Sequence, residues 1–203
     1  MNSLKNKVAV ITGGNGVLGG AIAKGLAAQG VKVGILGRNA DTVQERVLEI
    51  NNSGGKALGL VADVLNKEQL LSAKEKIETE FGQIDILVNA AGGNMKGATI
   101  NPDQSIFDLD LDHLDKVGDL NFKGTVLPVT IFSRSMVDNR KGSIINISSL
   151  AAERALTRVM GYSSAKAAIN NFTKWLAVEM AQKFGDGIRV NAIAPGFFIG
   201  EQN

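Results

Sequence analysis

The feature that most limits how this chain can fold is a repeated pairing: an apolar run of about five residues, then a longer amphipathic segment. Strands buried on both faces are apolar throughout, while the helices that cover them are apolar on one face only, so this alternation predicts βαβ units on a parallel sheet. Strands are predicted at Val8–Thr12, Val31–Leu36, Ala57–Val61, Ile84–Asn89, Ser143–Ser148 and Arg189–Ala194. Helices are predicted from the glycines after Thr12 to about Gln29, from Asn39 to near Gly54, and over about Lys67–Phe81, Asp112–Asn139 and Tyr162–Phe184. Asn39 suits the N-cap of the second helix. Six strands with intervening helices make two βαβαβ halves. The expected architecture is α/β, a three-layer α/β/α doubly wound parallel sheet, in one domain over residues 1–203.

Composition excludes several chemistries. Cysteine is absent, which removes disulfides, thiol catalysis and cysteine-ligated metal. The only histidine, His113, lies in D-L-D-H-L-D on an expected solvated helix start. A zinc site or a Ser-His-Asp triad has nothing to be built from, and no metal is expected. A net charge of +2 with no basic block and few aromatics argues against nucleic acid as a partner. Met1 to Lys7 carries no apolar core segment and no run approaches a membrane span, so a cytoplasmic protein without a membrane partner is expected.

The first strand opens into T-G-G-N-G-V-L-G, Thr12 to Gly19. Between a strand and a helix, such a turn lets backbone approach a pyrophosphate, which the helix N-terminus attracts. Thr12, Gly13, Asn15, Gly16, Val17, Leu18 and Gly19 are therefore expected cofactor contacts, while Gly20 and Gly25 are expected only to pack helix against strand. A reader of the ribose 2′-hydroxyl would be Asp or Glu at the end of the second strand. Gly37 and Arg38 stand there instead. A small residue beside a guanidinium accommodates a 2′-phosphate, so NADP(H) is favoured, with NAD(H) the alternative if Arg38 is a plain surface arginine.

Chemistry is offered by S-L-A-A-E-R-A-L-T-R-V-M-G-Y-S-S-A-K, Ser149 to Lys166. Residues four apart on a helix share a face, so the Tyr162 hydroxyl and Lys166 ammonium can address one small volume. A nearby cation favours ionisation of a phenol, which makes Tyr162 a candidate general acid/base.

The ordered set Thr12-Gly13 with Gly19, Asp63, Asn89-Ala90-Ala91-Gly92, Asn121, Ser149, Tyr162, Lys166 and Pro195-Gly196 resembles the short-chain dehydrogenase/reductase family across nearly the whole chain. Ser149 lies thirteen positions before Tyr162, the family's usual spacing, which selects it over Ser148. The resemblance implies a Rossmann-fold, NAD(P)-dependent oxidoreductase acting on CH–OH groups. Tyr162 would exchange a proton with the substrate oxygen, and Ser149 would hydrogen-bond that oxygen. Lys166 would bind the nicotinamide ribose and promote ionisation of Tyr162, and Asn121 would hold a relay water. Asp63 would contact adenine and Asn89 would brace the sheet. Val64, Ala90, Gly92, Pro195 and Gly196 would flank the cofactor.

Three departures accompany the resemblance. Val17 stands where the family turn has glycine, with glycine displaced to Gly16. Gly200 stands where a threonine is frequent. A substrate-covering helix and a seventh strand would follow Asn203, so a C-terminally truncated chain is expected.

The segments T-G-G-N-G-V-L-G, A-G-G-N-M-K, F-D-L-D-L and N-A-I-A-P-G-F-F are similar to a branch that interconverts sugar acids and keto-sugar acids, the fructuronate reductase or D-mannonate oxidoreductase branch. The expected small-molecule substrate is then a keto-sugar acid, whose carboxylate needs cations. Lys96, Arg154 and Arg158, with Asn94, are the candidate substrate residues, against a plain reading as solvated loop charge. A 3-oxoacyl thioester, a neutral sugar, or a non-catalytic dinucleotide-binding role are the alternatives. Phe172, Trp175 and Val178 form a second apolar patch on the last helix. With the resemblance, that patch implies a homodimer or homotetramer; packing on the preceding helix is the simpler account.

Overall fold

The alternation of apolar runs is realised as a single sheet. In a computed structural model describing residues 4–197, the strands are β1 Val8–Thr12, β2 Lys32–Gly37, β3 Lys56–Val61, β4 Ile86–Asn89, β5 Gly142–Ile147 and β6 Ile188–Ile193. All pair in parallel, in the order β3-β2-β1-β4-β5-β6. This is the doubly wound plan expected from the sequence, with boundaries within two residues of those predicted. The helices are α1 Val17–Ala28, α2 Ala40–Asn52, α3 Lys67–Phe81, α4 Leu111–Gly118, α5 Gly124–Phe132, α6 Arg134–Asp138 and α7 Met160–Phe184.

Alternate residues of each strand feed opposite layers. Ala9 and Ile11 of β1 join Ala23 and Ala27 of α1 and Val43, Val47 and Ile50 of α2 on one face. Val8 and Val10 join Leu70 and Ile77 of α3, Phe132 of α5, Met136 of α6 and Leu176 of α7 on the other. Each buried Val, Ile, Leu, Met or Phe among these contributes about 1.5–3 kcal/mol. The Asn39 cap forms as expected, its side chain accepting from the Thr42 amide at 3.0 Å.

Two expectations need correcting. The single helix predicted over 112–139 is interrupted: α4 passes through a π-helical turn, Asp119–Lys123, before α5 begins. The backbone stays right-handed helical across these junctions, so the axis continues while the hydrogen-bond ladder shifts. The π turn accommodates Asn121, whose amide bonds both Gly93 and the Val117 carbonyl. Pro128 inside α5 then removes one more ladder donor. The second correction concerns Gly20 and Gly25. A Cβ at Gly20 would meet the Arg46 guanidinium of α2 at 2.8 Å, so Gly20 makes room for a helix neighbour and not for a strand, and Gly25 faces open space.

Gly19 is the glycine that helix placement depends on. A Cβ there would run into the Gly13 carbonyl, so α1 could not approach the β1 turn as closely as it does. Gly19→Ala should destabilise by about 2–3 kcal/mol through overpacking. Gly25→Ala, exposed in the same helix, should stabilise by about 0.5–1 kcal/mol through helix propensity. Urea midpoints of the two variants give the test, and equal effects would contradict this packing.

Candidate active site

The site lies where the strand order reverses, at the C-terminal ends of β1 and β4, where a doubly wound sheet opens a crevice. The β1 turn enters it first. Thr12 Oγ1 accepts from the Ala90 and Ala91 amides, each at 3.1 Å, which locks the turn to the segment leaving β4. Gly13 adopts φ +63°, and a Cβ there would lie 2.8 Å from the Ala91 nitrogen. Gly16 is the N-cap of α1 and offers no side-chain cap, leaving first-turn amides available to an anion. Gly16, Val17 and Leu18 line a cavity of about 400 Å³ that extends to Tyr162 and Lys166. These backbone donors and this shape fit a dinucleotide pyrophosphate. Val17 starts α1 with its side chain exposed.

A second cavity of about 570 Å³ continues past Gly37, Arg38, Ala62 and Val64. Arg38 is exposed at its mouth, with Nη1 3.9 Å from Asp63 Oδ2. The Asp63 carboxylate caps the following turn by accepting from the Leu65 amide at 2.9 Å. Asn15 turns sideways, donating to Thr42 Oγ1 at 2.9 Å and tying the glycine turn to α2.

The expected chemical residues converge around Gly92. At φ +156°, a Cβ on Gly92 would lie 2.6 Å from Asn121 Oδ1 and 3.2 Å from Lys166 Nζ. Only glycine lets both side chains come this close to the chain. Asn121 is buried, its amide donating to the Gly93 and Val117 carbonyls at 2.8 and 2.9 Å while Oδ1 accepts from the Gly93 amide at 3.1 Å. Lys166 Nζ donates to the Ile147 carbonyl at 2.8 Å and sits 5.5 Å from the Tyr162 ring centroid. Lys166 is only 4% exposed, and that desolvation draws its ammonium from the usual 10.5 down to about 8. Ser149 Oγ accepts from the Ala151 amide at 3.1 Å, which leaves its own proton free to donate. Ser149 and Tyr162 line one cavity of about 580 Å³.

That cavity is bordered by Asn94, Leu156, Val159, Pro195, Gly196 and Phe197 as well. Of the candidate substrate residues, only Asn94 lines it. Lys96 and Arg154 are exposed without ion pairs among the described residues, and Arg158 Nε donates to the Ile100 carbonyl at 2.9 Å. Gly200 lies outside the described residues. No group of acidic and histidine side chains among the described residues could hold a metal ion. Sequence reasoning did not single out Ile147 or Thr125. Ile147 acts through its carbonyl, and Thr125 Oγ1 donates to the Asn121 carbonyl at 2.8 Å.

Residues 7–201 match the family described as short chain dehydrogenase. This chain belongs to the short-chain dehydrogenase/reductase family. Its members are oxidoreductases, and the dinucleotide cleft and CH–OH chemistry follow from that membership. An uncharacterized oxidoreductase of Bacillus subtilis, UxuB, is 45% identical over 209 residues, covering 99% of this chain and 74% of that protein. A crystal structure of a candidate D-mannonate oxidoreductase from Haemophilus influenzae, with bound NAD, superposes with a TM-score of 0.92 at 42% identity. It covers 98% of this chain and 74% of its own. A candidate gluconate dehydrogenase from Agrobacterium tumefaciens gives 0.89 at 31%, covering 100% and 76%. No helix among the described residues is long and apolar enough to cross a membrane.

Burying the Lys166 ammonium costs this short-chain dehydrogenase stability. Below pH 8 the folded and unfolded chains both carry the proton and the cost is fully present. As pH rises from 8 toward 10.5 the folded chain releases its proton first, and the cost is relieved. Lys166→Met should therefore be more stable than the parent at pH 7, by up to about 3 kcal/mol, with an advantage that shrinks as pH climbs through that window. Urea unfolding of both proteins between pH 6.5 and 10.5 measures this. An advantage independent of pH would refute a desolvated ammonium.

Proposed function

We propose that this protein is an NADP(H)-dependent oxidoreductase that interconverts a keto-sugar acid and its hydroxy acid. Tyr162 serves as proton donor and acceptor. The observation that carries the roles is the convergence of Asn121 and Lys166 on Gly92 beside a cavity holding both Ser149 and Tyr162. The nicotinamide supplies or accepts hydride when bound. The chain's own task is to hold the reacting oxygen and move one proton. Ser149 donates to that oxygen, its other lone-pair side being committed to the Ala151 amide. Tyr162 exchanges the proton at the same oxygen, with the Lys166 ammonium 5.5 Å from the centre of its ring. At neutral pH an ammonium titrating near 8 remains mostly charged.

The preference for NADP(H) rests on Gly37 ending β2 without a carboxylate and on Arg38, 72% exposed in its side chain at the cavity mouth. The NAD bound to the Haemophilus influenzae relative favours NAD(H) as the second reading. The keto-sugar acid is supported by the sugar-acid names of the relatives above and by Asn94 lining the substrate side. A neutral keto substrate is the second reading there, favoured by the Leu150, Leu156, Val159 and Phe197 walls, with no charged side chain among the described lining residues. Trp175 and Val178 stand exposed on α7 beside Phe172, which packs edge-on against Phe122 at 6.1 Å. That face supports a homo-oligomer, and the whole reading suits a cytoplasmic enzyme.

Tyr162→Phe should lower kcat by about 10³-fold while leaving cofactor affinity within a few-fold. This is read by stopped-flow reduction of a panel of keto-sugar acids, neutral keto-sugars and 3-oxoacyl thioesters. Strong acyl turnover with no response to keto-sugar acids would overturn the substrate. Arg38→Ala should lower kcat/KM for NADPH by at least about tenfold and leave NADH nearly unchanged. Equal losses with both cofactors would sink the NADP(H) assignment.

A further inference from the structure

The cavity beside Ser149 and Tyr162 is walled by two loops that leave neighbouring strands. The loop after β4 brings Gly93 and Asn94, and the loop after β5 brings Ser149, Leu156 and Val159. Arg158 joins them. Its backbone sits at φ +77°, in the left-handed region that side chains with a Cβ rarely adopt. Its carbonyl accepts from the Ile100 amide at 2.9 Å, and its Nε donates to the Ile100 carbonyl at 2.9 Å. One residue thus uses both backbone polar groups of Ile100. Arg158 makes no ion pair among the described residues, and its two bonds to Ile100 are the contacts that hold this unfavourable backbone.

Ile100 connects to the cavity through its neighbour Thr99. Thr99 accepts from Asn94 Nδ2 at 2.7 Å and donates to the Met95 carbonyl at 3.2 Å, which fixes the Asn94 amide. The far side of the same segment is fixed too. Gly97 lies against the His113 ring, and the ring nitrogen Nδ1 is 2.7 Å from Asp110 Oδ2. The loop after β4 is therefore anchored at α4, and Arg158 supplies its fastening on the β5 side.

We infer that Arg158 is a latch: through Ile100 it fastens the loop carrying Asn94 to the loop carrying Leu156 and Val159, and so sets the substrate cavity's width. It is a positioning residue and not a ligand of the substrate carboxylate. The inference rests on the reading that Ser149 and Tyr162 hold the reacting oxygen, but its main test does not depend on turnover.

Three proteins are compared: the parent, Arg158→Gly, which tolerates the left-handed backbone but lacks the guanidinium, and Arg158→Val, which loses both. Hydrogen exchange at the Ile100 amide should speed by about 30-fold or more in Arg158→Val and by no more than about fivefold in Arg158→Gly. Unchanged protection in Arg158→Val overturns the latch, whatever the enzyme turns over. In kinetics, Arg158→Val should raise KM about tenfold for carboxylated and neutral keto substrates alike, with kcat and cofactor affinity within about threefold. A rise confined to carboxylated substrates makes Arg158 a substrate ligand and overturns the proposal. If only one substrate class turns over, or none, the exchange result decides alone.

Discussion

The site depends on how α7 is registered against β5. Three consecutive residues at the end of that strand each fix the helix. Asn146 Nδ2 donates to Thr173 Oγ1 at 2.9 Å, the Ile147 carbonyl accepts from Lys166 Nζ at 2.8 Å, and Ser148 Oγ donates to the Lys166 carbonyl at 3.3 Å. Thr173 in turn donates to Ile169, and Asn89 of β4 donates to Asn146 at 2.9 Å, so the network reaches the sheet centre. Hydrophobic contact alone would let a long helix settle at neighbouring positions. Buried polar groups do not, because a slip by one turn, about 5.4 Å, would leave each of them unpaired at a cost of about 1–3 kcal/mol. Tyr162 and Lys166 are thus placed by residues that do no chemistry themselves.

The same arrangement forces a conflict. Lys166 must be close to the Tyr162 ring, and that position is dry. Among the described residues its ammonium donates to one acceptor, the Ile147 carbonyl, and burial pulls it down to about 8. A surface lysine would cost nothing to fold but would be screened by water and weakly oriented. The glycine turn makes the opposite choice. It contributes backbone donors and a helix terminus, groups that carry partial charge without a desolvated ion. One end of the crevice is therefore inexpensive in stability, while the other is costly.

This division also determines what could be read from the sequence. Strands apolar on both faces and the Asn39 cap are local patterns, so the sheet and every helix outside 112–139 were legible to within about two residues. The Ser149, Tyr162 and Lys166 spacing was legible because a helix fixes the relative placement of residues four apart. The π turn at Asp119–Lys123 was not: Val117, Asn121 and Thr125 keep an ordinary helical spacing, and the Asn121 bonds to Gly93 that accompany it join a loop far away in the sequence. Arg158 was visible as a charge near the crevice, but its left-handed backbone and its engagement with Ile100 depend on a loop some sixty positions away. Gly20 looked like helix-to-strand packing because nothing local indicates that Arg46 lies across from it.

Gly92 and Gly93 show why the two ends of the crevice cannot vary independently. Gly92 borders both cofactor-side cavities and the substrate-side cavity, and it is the point on which Asn121 and Lys166 close. Gly93 exchanges two hydrogen bonds with the Asn121 amide, so the first residues after β4 are held as firmly as a strand. One residue later the constraint changes. Among the described residues, the Asn94 side chain is fixed through Thr99, within its own loop. Chemistry common to a family belongs on the rigid side of that boundary, where displacement by 1 Å is costly. Substrate choice belongs on the other side, where a few loop hydrogen bonds can be exchanged without disturbing the register of α7.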